Sequence, residues 1–221
     1  MEKLSTPEIL AAIADGLGDW RKLGQPLAAR YRVADTVRGA AFVSAVAQAA
    51  VAAGRDPEIR MGRGFVDVAL STAAKDGGRW VTAQDVDMAR TVSELARNQG
   101  LAPAPGEVAQ VELALDTADS AAVAPFWAAL LTSGAPHRSW EVLDPTSRVP
   151  NVWFQKTGAH EAPRQRWHVD LWLAPEAAGE RIAAAVAAGG TVVDDSEAPS
   201  FTVLADPDGN KACVCTALGR S

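Results

Sequence analysis

Three histidines supply all the imidazole in this chain of 221 residues, and all of them, His137, His160 and His168, fall in its second half. Proton transfer near neutral pH leans on imidazole, because no other side chain titrates there unperturbed. The first 136 residues must therefore work with carboxylates and arginines. Their densest polar cluster is Arg55-Asp56-Pro57-Glu58, followed by Arg60 and Arg63. Asp56 is a candidate general base there, and Glu58 a candidate acid if burial raises its pKa. Arg55 and Arg60 are candidate ligand-binding residues for an anion, since a planar guanidinium offers paired N–H donors. The plainer alternative is a solvated rim on a strand that Pro57 starts. Cys213 and Cys215 stand two apart, on one face of a strand, which is poor geometry for bridging each other. Reduced thiols are expected. No Walker loop, dinucleotide fingerprint or zinc-finger spacing is present.

Composition narrows the function classes. The chain is 48% hydrophobic and 22% charged, with a net charge of -6 and a pI near 5.1. That profile belongs to a globular protein, and the absence of a basic block excludes nucleic acid and an anionic membrane surface as main partners. The N-terminal segment carries an early acid and no uninterrupted apolar run, so neither a signal peptide nor a membrane helix is read there, and a cytoplasmic protein is expected. Residues 1–106 carry 13 basic and 12 acidic side chains, the remainder 8 and 15. This asymmetry, with the Pro- and Ala-rich stretch Asn98 to Gly106, divides the chain into residues 1–98, a stiff linker at 99–107, and residues 108–221.

The elements that position these residues follow from local signals. Ser5, Pro7 and Glu8 open a short helix with Ile9, Ile13 and Leu17 on its apolar face. Trp20 to Val33 reads as two strands around Gly24-Gln25-Pro26, and Asp35 caps a long helix to Ala53. Strands at Glu58 to Met61 and Phe65 to Leu70 precede a last helix, capped by Thr82 with Asp85. The class is α+β, a layer sandwich of about a hundred residues.

Beyond the linker the pattern repeats. Glu112 and His168 each open a strand that passes into a small-residue helix, with Gly134 and Gly190 both 22 positions later and Phe126 and Ile182 both 14. Strands then follow at Trp140 to Val142, Asn151 to Lys156, Thr191 to Asp194, Phe201 to Leu204 and Ala212 to Thr216. Two βαβββ modules, at about 108–157 and 164–217, are expected to close a cleft between two sheets. Trp127, Trp140, Trp153, Trp167 and Trp172 lie in this half, and some of them suit the face of a flat ligand. Asp206-Pro207-Asp208-Gly209-Asn210 reads as a turn between strands.

Two resemblances refine this picture. Residues 4 to 98 resemble the pterin-4a-carbinolamine dehydratase family through Trp20, Ala40-Ala41-Phe42-Val43, Arg55-Asp56-Pro57-Glu58, the Val66 to Thr72 strand, Gly77-Gly78 and Val81-Thr82-Ala83-Gln84-Asp85-Val86. The resemblance implies a pterin pocket lined by histidines that remove water from a 4a-hydroxyl, and it allows a homo-oligomer. At the implied histidine positions this chain has Arg55, Asp56 and Ala73. Arginine stays protonated and alanine has no proton to give.

Residues 108 to 217 resemble the glyoxalase or bleomycin-resistance branch of the vicinal oxygen chelate superfamily. The residues that carry this are Asp119, Phe126-Trp127-Ala128-Ala129-Leu130-Leu131, Val152-Trp153-Phe154-Gln155, Arg166-Trp167-His168-Val169-Asp170-Leu171 and Asp206 to Asn210. The resemblance implies four ligand-binding positions, Glu112, Gln155, His168 and Cys213. In metal-dependent members these hold a divalent ion, here through Glu112, Gln155 and His168, with Cys213 in place of the usual carboxylate. The alternative is that Glu112 and His168 only hydrogen-bond across the cleft and Cys213 is a small buried hydrophobe. Ligand binding in the second half is accordingly favoured over pterin dehydration. An active lyase, through Asp56 and Glu58 or through a metal, is the alternative. The expected ligand is a small molecule of pterin-like, dicarbonyl or catechol-like type.

Overall fold

The computed structural model describes residues 2–74, 78–132, 138–147, 149–158, 167–205 and 211–220, with the side chains of residues 126 and 129–131 outside that set. His137, His160, Gly77, Arg166 and the turn expected at Asp206 to Asn210 lie outside the described residues.

The first half builds on the signals read in the sequence. Helix α1 (Thr6–Ala14) starts at Ser5, whose hydroxyl and backbone N–H both meet the Glu8 side chain in a reciprocal cap. Strands β1 (Trp20–Lys22) and β2 (Leu27–Arg32) form the hairpin around Gly24. Asp35 caps α2 (Thr36–Ala53) by accepting from the Arg38 N–H, and Gly54 ends it at φ 63°, a left-handed conformation that suits glycine. Strands β3 (Glu58–Gly62) and β4 (Phe65–Leu70) follow, then a small hairpin of β5 (Thr72–Ala73) and β6 (Arg79–Trp80). Helix α3 (Ala83–Asn98) carries the Thr82–Asp85 capping box.

The first sheet runs β1-β2-β4-β3, and α1, α2 and α3 pack a core onto it. Trp20, Tyr31 and Phe42 are wholly buried there, and the Trp20 indole donates to the Ser93 hydroxyl at 2.9 Å. By length and composition α2, with mean hydropathy 1.3, is the one helix among the described residues able to cross a membrane. Its Phe42, Val46 and Ala50 are buried in this core.

The expected stiff linker is in part a strand. Ala102–Pro103 forms β7 along the β2 edge, with Tyr31 opposite Pro103, and Leu101 is buried in the first core. One 3-10 turn at Pro105–Glu107 leads into the second half, where Arg32 pairs with Glu107.

The second half comprises β8 (Ala109–Thr117), α4 (Ser120–Thr132), β9 (Glu141–Val142), β10 (Asn151–Lys156), β11 (Trp167–Leu173), α5 (Pro175–Ala187), β12 (Thr191–Asp194), β13 (Phe201–Ala205) and β14 (Lys211–Cys215). These strands form one seven-stranded sheet in the order β12-β13-β14-β11-β8-β10-β9. The two facing sheets expected from the repeat are replaced by a continuous one, because β8 and β11 pair directly and antiparallel. Around that seam β10 runs parallel to β8 and β14 parallel to β11, so the repeat survives as an approximate two-fold relation. The modules are unequal. Between β9 and β10 the segment holding Pro145 and Pro150 forms no further strand among the described residues, and proline there removes ladder donors.

The halves pack on each other. Leu23 and Ala28 of the first share a cluster with Val108, Trp172, Ala174 and Cys215 of the second. Arg21 pairs with Glu176, and the Arg138 guanidinium stacks between Trp80 and Trp140, 5.3 and 4.6 Å from their ring centres.

Candidate functional site

Strand alternation puts every second residue of the second sheet on one face. The pairings place Glu112 opposite both Asp170 and Asn151, Ala114 opposite His168, Asp116 opposite Gln155, Cys213 opposite Asp170, and Phe201 opposite Cys215. That face forms the floor of a cleft of about 1060 Å³, walled by Trp140, Trp153, Trp167 and Trp172 and reached by Lys211 and Arg220. One lining residue, Gln25, comes from the first half.

Glu112 is 5% exposed, and both oxygens of its carboxylate accept hydrogen bonds. Oε1 accepts from Gln25 Nε2 at 2.6 Å and Asn151 Nδ2 at 2.7 Å, and Oε2 from the Trp172 indole at 2.8 Å. Lys22 sits nearby, donating to the carbonyls of Leu23 and Gly24. Burial pulls its pKa down to about 8, and the Glu112 charge opposes the fall.

A second cluster lies beside it. His168 Nδ1 and Asp170 Oδ1 are 3.1 Å apart, while Asp170 Oδ2 accepts from the Trp153 indole at 2.9 Å. The polar atoms of His168, Asp170 and Cys213 all lie within 4.8 Å of one another. Hydrogen bonding to Asp170, then to Cys213, pushes the His168 pKa up to about 10 against its burial. Cys215, one step along the same face, is buried, and its thiol is pushed up to about 12 by that burial.

In the first half the polar cluster disperses. Arg55 turns inward from the end of α2, donating from Nη2 to Asp85 Oδ1 at 2.7 Å and to Thr72, and from Nη1 to Gln84 at 3.0 Å. Its side chain is 9% exposed and that of Asp85 1%. The other Asp85 oxygen accepts from the Thr82 N–H, the Thr82 hydroxyl and the Thr72 hydroxyl, each at 2.8 Å. Asp56 is exposed, and Glu58 accepts from Ser147 of the second half at 2.7 Å. Arg60 lies opposite Asp67 and, with Glu58, lines a separate cavity of about 410 Å³ between the halves. Arg55 and Arg60 thus serve different surroundings.

Residues 2–95 match the family model for pterin 4 alpha carbinolamine dehydratase, and residues 112–215 match a glyoxalase-like domain. A relative from Nocardia farcinica, named as a pterin-4-alpha-carbinolamine dehydratase, is 35% identical over 96 residues, covering 43% of this chain and 97% of its own. The chain belongs to that family. A relative of the same name from Thermosynechococcus vestitus is 32% identical over 95 residues, or 43% of this chain and 96% of its own. A solved structure titled as a transcriptional coactivator/pterin dehydratase from Brucella melitensis is 26% identical over 43% of this chain and 99% of its own, with a TM-score of 0.39. The chain is a fusion of a pterin dehydratase-like part with a glyoxalase-like domain.

Of the four positions expected to bind a ligand, three of them as metal ligands, the structure brings together His168 and Cys213, and adds Asp170. Gln155 is exposed and lies four residues along β10 from Asn151, the partner of Glu112, a separation on the order of 13 Å. The Glu112 carboxylate faces the other way, toward Gln25 and Trp172. An ion on it would displace donors already in place. Glu112, Gln155 and His168 do not make one coordination sphere. Asp170 was legible in principle, since the run Trp-His-Val-Asp-Leu puts positions 168 and 170 on one strand face. Gln25 was not, because nothing in its own stretch says which surface the hairpin will meet.

Two predictions follow from these geometries. Asp85→Ala leaves Arg55 charged and buried without its partner, so urea unfolding should register a loss of about 3–5 kcal/mol, whereas Asp56→Ala at the exposed neighbour should stay within about 0.5 kcal/mol. The His168–Asp170 contact has a folded pKa above the unfolded one. Its contribution is therefore complete below about pH 6.5 and fades as pH rises toward 10. The difference in unfolding free energy between the native chain and His168→Gln should shrink across that window. A difference that grew with pH would reverse the assignment.

Proposed function

We propose that this protein binds a flat small molecule in the Trp-walled cleft of its glyoxalase-like domain, and that its dehydratase-like part acts as scaffold instead of catalyst. The observation that carries this is the contrast between the two sites. Arg55, standing where the family resemblance implies an imidazole, is tied into a buried pair with Asp85. A permanently charged group held by a carboxylate has no proton to exchange near pH 7. The cleft, by contrast, is lined by the half-buried Trp153 and Trp167 beside polar groups on a rigid sheet, the mixture that fixes a small aromatic ligand. A pterin-like or catechol-like ring suits it. The two free cysteines accord with a reducing, cytoplasmic setting.

A homo-oligomer fits the first half. The outer face of α2 exposes Val37, Ala40, Ala41, Ala47 and Val51 in a helical stripe, with Val37 and Val51 79% and 82% exposed, and a second copy of the same stripe is its natural cover.

Titration of the protein with a reduced pterin and with a catechol, followed by tryptophan fluorescence, should give saturable quenching for at least one of them. Ligand at a hundredfold over Kd should add about 2.7 kcal/mol of stability. Trp153→Ala should weaken that binding at least tenfold. If a 4a-hydroxypterin is instead dehydrated above the buffer rate, and Asp56→Ala abolishes the rate, the activity belongs to the first half and this reading fails. In sedimentation, Val37→Glu combined with Val51→Glu should convert the oligomer to monomer with the circular dichroism spectrum unchanged. A native chain that sediments as monomer would remove the oligomer.

A further inference from the structure

We propose that the glyoxalase-like domain holds a zinc ion through His168, Asp170 and Cys213, displaced from the position around Glu112, Gln155 and His168 that the family resemblance implies. The displacement follows from what Glu112 does in this chain. Its carboxylate is taken up by Gln25 of the first half, by Asn151 and by the Trp172 indole, so it serves the junction between the halves. Gln155 is exposed near the far end of β10. Of the four expected positions only His168 and Cys213 remain together, and the third donor comes from Asp170, which lies outside that set. His168 and Asp170 are two apart on β11, so strand alternation turns both to one face, and Cys213 is the register partner of Asp170 on β14. Three adjacent ladder positions therefore set the donors.

Their nitrogen, oxygen and sulfur atoms all lie within 4.8 Å of one another, and His168 Nδ1 and Asp170 Oδ1 are 3.1 Å apart. Bonds of about 2.0–2.3 Å to a tetrahedral zinc put its ligand atoms roughly 3.3–3.6 Å from each other, so the sulfur has only about 1 Å to close. A turn about one Cys213 bond supplies that. The Trp153 indole donates to Asp170 Oδ2 at 2.9 Å, which leaves Oδ1 directed at the imidazole, and an outer hydrogen bond of this kind orients a ligating carboxylate. The same indole stands edge-on to the His168 ring, with centres 5.7 Å apart. The donor set names the ion. One imidazole nitrogen, one carboxylate oxygen and one thiolate suit zinc, whereas magnesium and calcium take oxygen ligands. Asp170 and the Cys213 thiolate together neutralise a divalent ion, and the thiol proton that zinc replaces leaves to solvent. All three residues line the cleft, so a fourth position opens toward its interior, for water or for an oxygen of whatever binds there. Cys215, the next residue on that face, is buried in the cluster that joins the halves and is not one of the three.

Cobalt(II), titrated into the full chain after treatment with chelator, tests this directly, because a cobalt–thiolate bond gives an intense near-ultraviolet charge-transfer band. One equivalent should saturate the band, zinc should erase it, and excess magnesium should leave it unchanged. Dialysis against zinc should leave one zinc per chain by elemental analysis. Cys213→Ser should remove the band. His168→Gln and Asp170→Asn should each weaken zinc binding by at least the roughly tenfold that loss of an outer-shell partner costs. Gln155→Ala and Cys215→Ser should keep the band and the stoichiometry of the native chain. The native titration decides the matter even where a variant fails to fold: cobalt bound without the thiolate band, or no zinc retained on dialysis, overturns the proposal. So does a band that Cys215→Ser removes and Cys213→Ser keeps, or a loss of zinc in Gln155→Ala, which would return the ion to the position the family resemblance implies. No organic ligand enters these titrations, so the ion and the flat-ligand reading of the cleft fail separately. A chain that takes zinc but neither pterin nor catechol would sink the latter alone.

Discussion

A single carboxylate, that of Glu112, ties together what the sequence keeps apart. Its donors come from the β1–β2 hairpin of the first half, from β10 and from β11. A buried carboxylate without such donors would be driven to take up a proton or leave the interior. Three neutral N–H groups remove that pressure, and in doing so they fix where each of the three segments must stand. The hairpin meets this demand through Gly24. A Cβ there would come within 3.2 Å of the Gln110 amide oxygen and 3.4 Å of the Glu112 carboxyl carbon, so both side chains would have to give by a few tenths of an ångström. With glycine, the Gly24 N–H donates to Gln110 at 3.0 Å and Gln25 reaches Glu112.

The dehydratase-like half carries a buried charged pair of its own. Here Arg55 folds onto Asp85, and Asp85 also caps α3, so a single buried pair locks the end of one helix to the start of another. Removing a partner from such a pair is more damaging than never having had it. The half that holds this buried pair presents Gln25 to the neighbouring cleft.

Legibility followed the range of the interaction. Capping at Ser5, Asp35 and Thr82, the strands at 58–62, 65–70, 151–156 and 191–194, and the repeat of Glu112 with His168 are local patterns, and the sequence displays them. Closure of the second sheet depends on β8 and β11 pairing across a stretch that includes α4, which periodicity does not encode. The two-residue strands at 72–73, 79–80 and 102–103 are too short to show an alternation at all. The site divides the same way. His168 and Cys213 are visible through the repeat and the family likeness. Gln155 sits at the matching repeat position, yet it is displaced along its strand from Glu112, because equal sequence spacing places residues at equivalent heights only when the strands share a register.

Two clusters on one sheet face therefore carry opposite logic, although both centre on a buried acid. Glu112 is surrounded by neutral donors and holds structure. Asp170 is surrounded by one neutral donor and one titratable cation, and its charge is spent on controlling where a proton sits. Two amides and an indole take three of the roughly four lone-pair sites of the Glu112 carboxylate. An acid that orients an imidazole acts at one remove, through the nitrogen it polarises. Because Asp170 faces Glu112 in the β8–β11 pairing and Cys213 in the β11–β14 pairing, the same strand joins the interface between the halves to the thiol at the cleft floor. Cys213 also packs against the cluster that Leu23 and Ala28 share with Trp172 and Cys215, so the first half borders the cleft floor on that side as well.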